Sequence, residues 1–188
     1  MMNKSLNRQF SEYRNDRSDE LNLRLHRALS WFNKAEISQD DLDIQFITLW
    51  ISFNAIYARE FATERAADRE TFNQFIAEIC RLDKQKAIYK IIWQRFPQSI
   101  RVMLDNHYVF QPFWDFHNGK ISEKAWRENF EKANKKALNA LASQDTYDIL
   151  LVIFDRLYTL RNQLVHGGAT YESQINRSQL KDGCQILL

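Results

Sequence analysis

The sequence predicts an all-α fold, and three observations carry that prediction. Apolar residues recur at three- and four-residue spacing rather than in alternation, and only four glycines and two prolines interrupt 188 residues. Hydrophobic residues make up 45% of the chain and aromatics 13%, a supply of bulky side chains that only a packed interior or an interface can use. The length suits one domain, and residues 1–188 are expected to form a single helical one.

The elements follow in order. Ser18-Asp19 is a helix-start signal, and Leu21, Leu25, Ala28, Leu29 and Phe32 fall on one face of the helix behind it. Ser38-Gln39-Asp40 caps a second helix, expected to run to about Ala62 and to form a hairpin with the first. Thr48, Ser52 and Ala55 make a small-residue row on it, which lets another helix approach closely. From about Asp68 to Phe96 the pattern reads as one or two shorter amphipathic helices ended by Pro97, and Gln98–His117 as an aromatic stretch interrupted by Pro112. Ser122 opens a charged helix to about Ala142 with a narrow stripe of Trp126, Phe130 and Ala137. Asp145-Thr146 caps a long helix that ends at Gly167-Gly168. The closing QLKDGCQILL reads either as part of a final helix or as a tail docked on the body.

Charge and cysteine content exclude little. The formal net charge is +2, too balanced to demand a nucleic acid or an anionic membrane as partner. Cys80 and Cys184 lack metal-ligand spacing and are too few for a disulfide framework, so a reducing, cytoplasmic setting is expected. The most apolar run, Phe46–Ala58, is broken by Thr48, Ser52 and Asn54 and is shorter than the roughly 18 residues of a membrane span, so neither a span nor an export signal is expected. No GxGxxG, Walker A or GxSxG pattern occurs, which argues against the nucleotide-dependent and hydrolase classes that use them, and no metal or cofactor is expected.

Chemistry concentrates in RLYTLRNQLVHGG, residues 156–168. At about 100° per residue, Ile153, Leu157, Leu160 and Leu164 form the buried row, while Asp155, Thr159, Asn162 and His166 lie roughly opposite. Asn162 and His166, four apart, can touch, although any amphipathic helix puts polar residues somewhere. Arg161 shares a row with Phe154, Tyr158 and Val165, where it needs an anion, an aromatic face or a partner chain unless it reaches solvent past the helix end or pairs with an acidic side chain. In the second helix Asn54 sits in the row Ile47, Trp50, Tyr57, an amide expected to be buried and hydrogen-bonded. His107 and His117 suit helix-end hydrogen bonds better than a chelating pair, His26 reads as a surface-edge residue, and KANKK at 132–136 reads as a solvated face.

Arg161-Asn162-Gln163-Leu164-Val165-His166 resembles the Arg-x4-His motif, in its Arg-Asn-x3-His form, of the HEPN superfamily, and FITLWISFNAIYA at 46–58 is similar to the second-helix signature of defence-associated HEPN proteins. The resemblance covers the hairpins at both ends and leaves about 65–140 as an inserted helical segment. It implies a HEPN-like bundle of antiparallel helices that dimerises through the motif helix. It also implies a metal-independent endoribonuclease acting on RNA, of toxin or phage-defence type, with an antitoxin or defence-system protein as a further partner. Arg161 and His166 would then be catalytic, Asn162 would orient His166 or hold the phosphate, and Asn54 would support the motif. The alternatives are a non-catalytic HEPN interaction module and a nucleotide-binding module. Some HEPN toxins carry a modifiable tyrosine two residues after the histidine; Gly168 stands there and Tyr171 is the nearest tyrosine, so that route of regulation is not expected.

Overall fold

The structure is a computed structural model that describes residues 2–57 and 65–188, with side chains from 5–57 and 70–188. Among the described residues the regular structure is helical, with no strand, and it packs as two compact units: 1–72 with 171–188, and 73–170.

In the first unit, α1 (Met2–Glu12) precedes the first helix that the sequence signals mark; Phe10 on it packs at 6.3 Å from His26. Ser18 caps α2 (Asp19–Ile37) by accepting from the Leu21 N–H at 3.3 Å. The expected hairpin forms with α3 (Leu42–Tyr57); the expected extension of that helix to Ala62 lies outside the described residues. Small residues decide how closely the pair approaches. Ala28 and Ala35 of α2 are buried, the Ser52 hydroxyl donates to the Ala28 carbonyl at 2.8 Å, and Gln45 Nε2 donates to the Ala35 carbonyl at 3.4 Å. One index rises as the other falls, so the helices are antiparallel. On α3, Trp50, Phe53 and Tyr57 form a chain of tilted rings with centroids 5.9 and 5.0 Å apart.

The closing segment is a helix, α10 (Arg177–Leu187), docked on α3 through buried Leu180 and Cys184. Three polar ties accompany it. Tyr171 O–H donates to Asp41 at 2.8 Å, Arg177 pairs with buried Asp43, and the Cys184 thiol lies 3.8 Å from the Leu42 carbonyl.

The division between units falls within α4 (Arg65–Leu82). In the second unit the Asp83 carboxylate accepts from the Ala87 and Tyr89 N–H groups at 2.6 and 3.1 Å and so starts α5 (Ala87–Lys90). A π-helical stretch, Ile91–Arg95, follows and leads into α6 (Pro97–Asp105). Pro97 therefore begins a helix as well as closing the preceding one. Pro112 likewise sits in the first turn of α7 (Gln111–His117) rather than breaking a helix. The physical reason is the same in both places: a first-turn N–H has no intrahelical acceptor, so proline loses nothing there. Between α6 and α7 lies a single 3₁₀ turn, His107–Val109.

α8 (Glu123–Ser143) is capped by Ser122 and α9 (Thr146–Val165) by Asp145, as the sequence signals predict. Lys136 reaches Asp148 at 3.4 Å and Arg156 lies over Phe130, so α8 and α9 are also antiparallel. Tyr89 O–H donates to Gln144 at 2.9 Å and Trp93 Nε1–H to Thr146 at 3.0 Å, which ties the π stretch to the turn between these helices. Ile100, Met103, Val109, Ile149, Ile153 and Leu157 are among the innermost residues of this unit. No helix among the described residues is long and apolar enough to cross a membrane.

Candidate functional site

The motif occupies the last turns of α9. Its buried row forms as the periodicity predicts at Ile153, Leu157 and Leu160, while Leu164, one turn from the end, is half-buried. His166 is the C-cap, and Gly167 turns the chain away at φ +71°, a conformation glycine adopts without strain. The Ala169 N–H then returns to the Gln163 carbonyl at 3.1 Å and closes the helix end.

Asn162 connects the two residues of interest. Its Oδ1 accepts from Arg161 Nη1–H at 3.0 Å, and its main-chain carbonyl accepts from the His166 N–H at 3.0 Å. The amide thus orients the guanidinium rather than the imidazole. Arg161 is half-buried, and its other donors have no partner among the described residues; His166 is exposed. Of the row that Arg161 shares, Phe154 is buried, while Tyr158, at 51%, and Val165, at 49%, are exposed, so the row is open to solvent at the end where Arg161 stands.

The desolvated arginine is Arg156. It is 1% exposed, none of its three side-chain nitrogens has a hydrogen-bond partner among the described residues, and its guanidinium lies 4.3 Å from the Phe110 ring centroid and 5.7 Å from that of Phe130. Burial lowers its pKa to about 10. The sequence carried a signal for it: Arg156 falls only about 60° from the Ile153 row, on the flank that also holds Gln163. Gln163 is buried too, and its Nε2 donates to the Tyr108 carbonyl at 2.5 Å, which also accepts from Trp114 Nε1–H at 2.7 Å. Thr159, expected on the polar side, is buried and donates to the Asp155 carbonyl at 3.2 Å. The segment read as an insertion therefore supplies the packing partners of the motif helix.

Asn54 belongs to the first unit, where on α3 it is half-buried rather than buried as expected, and its Oδ1 has no hydrogen-bond partner among the described residues. His107 and His117 both pack on Phe113, at 4.7 and 4.4 Å between centroids. Burial, with the nearby charges of Arg127 and His117, holds His107 below the ordinary imidazole range. Among the described residues no group of three or more His, Cys, Asp and Glu is placed to hold a metal ion. Comparison with protein-family models, with curated proteins and with solved structures returned no match for this chain.

Chemically, one helix end offers a guanidinium with open donors and an accessible imidazole. Arginine suits two phosphate oxygens at once, and histidine titrates close enough to neutrality to give or take a proton. A single copy offers one such pair, and a two-fold assembly would offer two.

Proposed function

We propose that the protein is a metal-independent endoribonuclease of HEPN type, a toxin or defence effector that acts as a homodimer. The observation that carries the reading is the accessible end of α9, where Arg161 and His166 are joined through Asn162 and flanked by exposed Tyr158 and Val165. The two exposed apolar side chains are the surface through which a second motif helix would pack.

In this reading one His166 removes the proton of an RNA 2′-hydroxyl, whose oxygen attacks the adjacent phosphorus. The second His166 of the pair protonates the departing 5′-oxygen, and the Arg161 guanidinium stabilises the charge that builds on the phosphorane. The products are a 2′,3′-cyclic phosphate and a free 5′-hydroxyl. Asn162 holds the Arg161 guanidinium through Nη1–H and leaves its remaining N–H groups to meet the phosphate.

The test is cleavage of mixed cellular RNA by the purified protein in excess EDTA, with analysis of the product ends. Cyclic-phosphate ends are expected, with rates lower by about 100-fold or more for Arg161→Ala and His166→Ala variants that remain folded. A folded dimer that leaves varied RNAs intact would overturn the nuclease reading in favour of a non-catalytic interaction module.

A further inference from the structure

Residues 84–104 carry Lys84, Lys86, Lys90, Arg95 and Arg101 and no acidic residue. All five cations are exposed, and none has an ion pair or a side-chain hydrogen bond among the described residues. The carboxylate just before them is already engaged, since Asp83 accepts from the Ala87 and Tyr89 N–H groups at 2.6 and 3.1 Å. By contrast, Lys120, Lys124 and Arg127 of the same unit pair with Asp115, Glu128 and Glu123. A concentration of unpaired like charge opposes folding, and a bound polyanion relieves it.

The backbone lines three of these cations up. The Lys90 N–H donates to the Lys86 carbonyl at 2.9 Å, so Lys90 stands one turn beyond Lys86. Five residues of α-helix would swing Arg95 about 140° away from Lys90. The chain instead takes π geometry over Ile91–Arg95, with the Phe96 N–H on the Ile91 carbonyl at 3.1 Å, and i→i+5 bonding keeps Arg95 on the side of Lys90. Lys86 itself sits at φ +55°, a left-handed conformation that a residue with a Cβ adopts at a cost, and its ammonium lies 5.6 Å from the Tyr89 ring centroid. Two irregular backbone features thus serve one row of charge. Half-buried Tyr89 and Trp93, with centroids 6.2 Å apart, form an aromatic column on the same stretch, held by Gln144 and Thr146.

We propose that Lys86, Lys90 and Arg95, with Lys84 and Arg101 at the ends, hold the phosphate backbone of a single-stranded RNA. Evenly stepped cations suit a polymer that carries a charge on every unit, and the open parts of Tyr89 and Trp93 offer its bases a stacking surface. A protein partner would need an apolar seat, and Ile91 is the one large apolar side chain of 84–96 that is exposed. The identity of the polymer as RNA rests on the ribonuclease reading; the cationic row does not. Tyr89 and Trp93 fasten the row at the start of α9, and Arg161 lies fifteen residues past Thr146, about 22 Å along that helix. One strand that reaches both covers at least roughly seven nucleotides at about 3.4 Å each. The row is therefore a docking strip for the flank of the RNA, apart from the bond that is cut.

The test is fluorescence anisotropy with the full chain carrying His166→Ala, so that RNA stays intact, and a fluorescein-labelled RNA of about 20 nucleotides in EDTA across a salt series. Lys90→Gln with Arg95→Gln should weaken binding about tenfold or more at about 0.1 M salt, and should lower the slope of log K on log salt by about 1.4, two contacts at about 0.7 each. Both positions are exposed, so circular dichroism and melting temperature should not change. Lys120→Gln with Lys124→Gln, two cations that are already paired, should leave affinity and slope as they were. No RNA binding, unchanged affinity and slope in the Lys90 and Arg95 variant, or an equal loss in the control pair would overturn the proposal. So would polyglutamate that displaces the RNA as well as unlabelled RNA of equal charge does, since an acidic protein would then be the occupant. RNA binding that depends on the row, in a chain whose unsubstituted form cuts nothing, would uphold the strip and fail the nuclease reading alone.

Discussion

Arg156 shows what a single side chain can cost and why its neighbours matter. Two aromatic rings offer a desolvated cation about 2 kcal/mol, whereas the effective penalty of burying an unpaired charge is several kcal/mol. The penalty is the larger, so removing the charge at constant volume should help. Arg156→Met is expected to leave the fold intact and raise stability by about 1–2 kcal/mol in urea unfolding at neutral pH. A loss of similar size would show that the ring contacts outweigh desolvation. Arg161, five residues on, is in the opposite position: half-buried, with open donors, it can meet an anion without reorganising the core.

At the scale of the element, α9 is held in register by a contact far away in sequence. Gln163 Nε2 donates to the carbonyl of Tyr108, in the 3₁₀ turn, and that turn is itself braced by Trp114. The bond sits between Arg161 and His166 and fixes the direction in which the helix end presents them. Gln163→Leu should cost about 1–2 kcal/mol, because the Tyr108 carbonyl keeps the Trp114 bond while the glutamine donor is lost. Hydrogen exchange should speed up at the last turn of α9 and at His107–Val109, with α8 unaffected. Exchange that accelerates evenly along α9 would mean that Gln163 is ordinary packing and has no part in setting the helix end.

At the scale of the whole molecule, the chain leaves the first unit, builds the second and returns at Tyr171 to pack α10 on α3. The return is fastened by Asp41, Asp43 and the buried Cys184 thiol, whose pKa burial pushes up to about 12. The ordinary thiol value is 9.0, so between pH 9 and 12 the folded state binds more protons than the unfolded one and stability falls as pH rises. Arg156, with its value lowered to about 10, contributes in the opposite sense above that pH, so the thiol effect stands clearest between pH 9 and 10. Cys184→Ala should flatten the alkaline decline of the melting temperature relative to wild type; an unchanged slope would show that the thiol ionises no less readily in the folded chain. At the acid end burial raises the Asp41 pKa, but bonds from the Ile44 N–H, Tyr171 and the Asp43 N–H, with the Arg177 charge, bring it below the ordinary value. Its contribution is therefore present above the ordinary value of 3.8 and is lost as pH falls from there through the lowered value.

Local signals in the chain determined the helical class, the caps at Ser18, Ser122 and Asp145 and the turn at Gly167, because each rests on neighbours within four residues, and the α2–α3 hairpin followed from two helices joined by a short turn. They also marked Arg161, Asn162 and His166 as one helix end. Tertiary structure decided which flank of α9 is buried: Arg156, which the periodicity did not single out, is enclosed by Phe110 and Phe130, and Arg161, for which both a desolvated and a solvent-reaching position were open, stays accessible. It also decided that Asn162 orients the arginine, that Gln163 is an anchor, and that Asn54 belongs to the other unit. Periodicity reports that a helix has an apolar side, but the width of the buried arc depends on how many elements pack against it. Those elements are 26 to 55 residues distant along the chain in the contacts to Phe110, Phe130 and Tyr108.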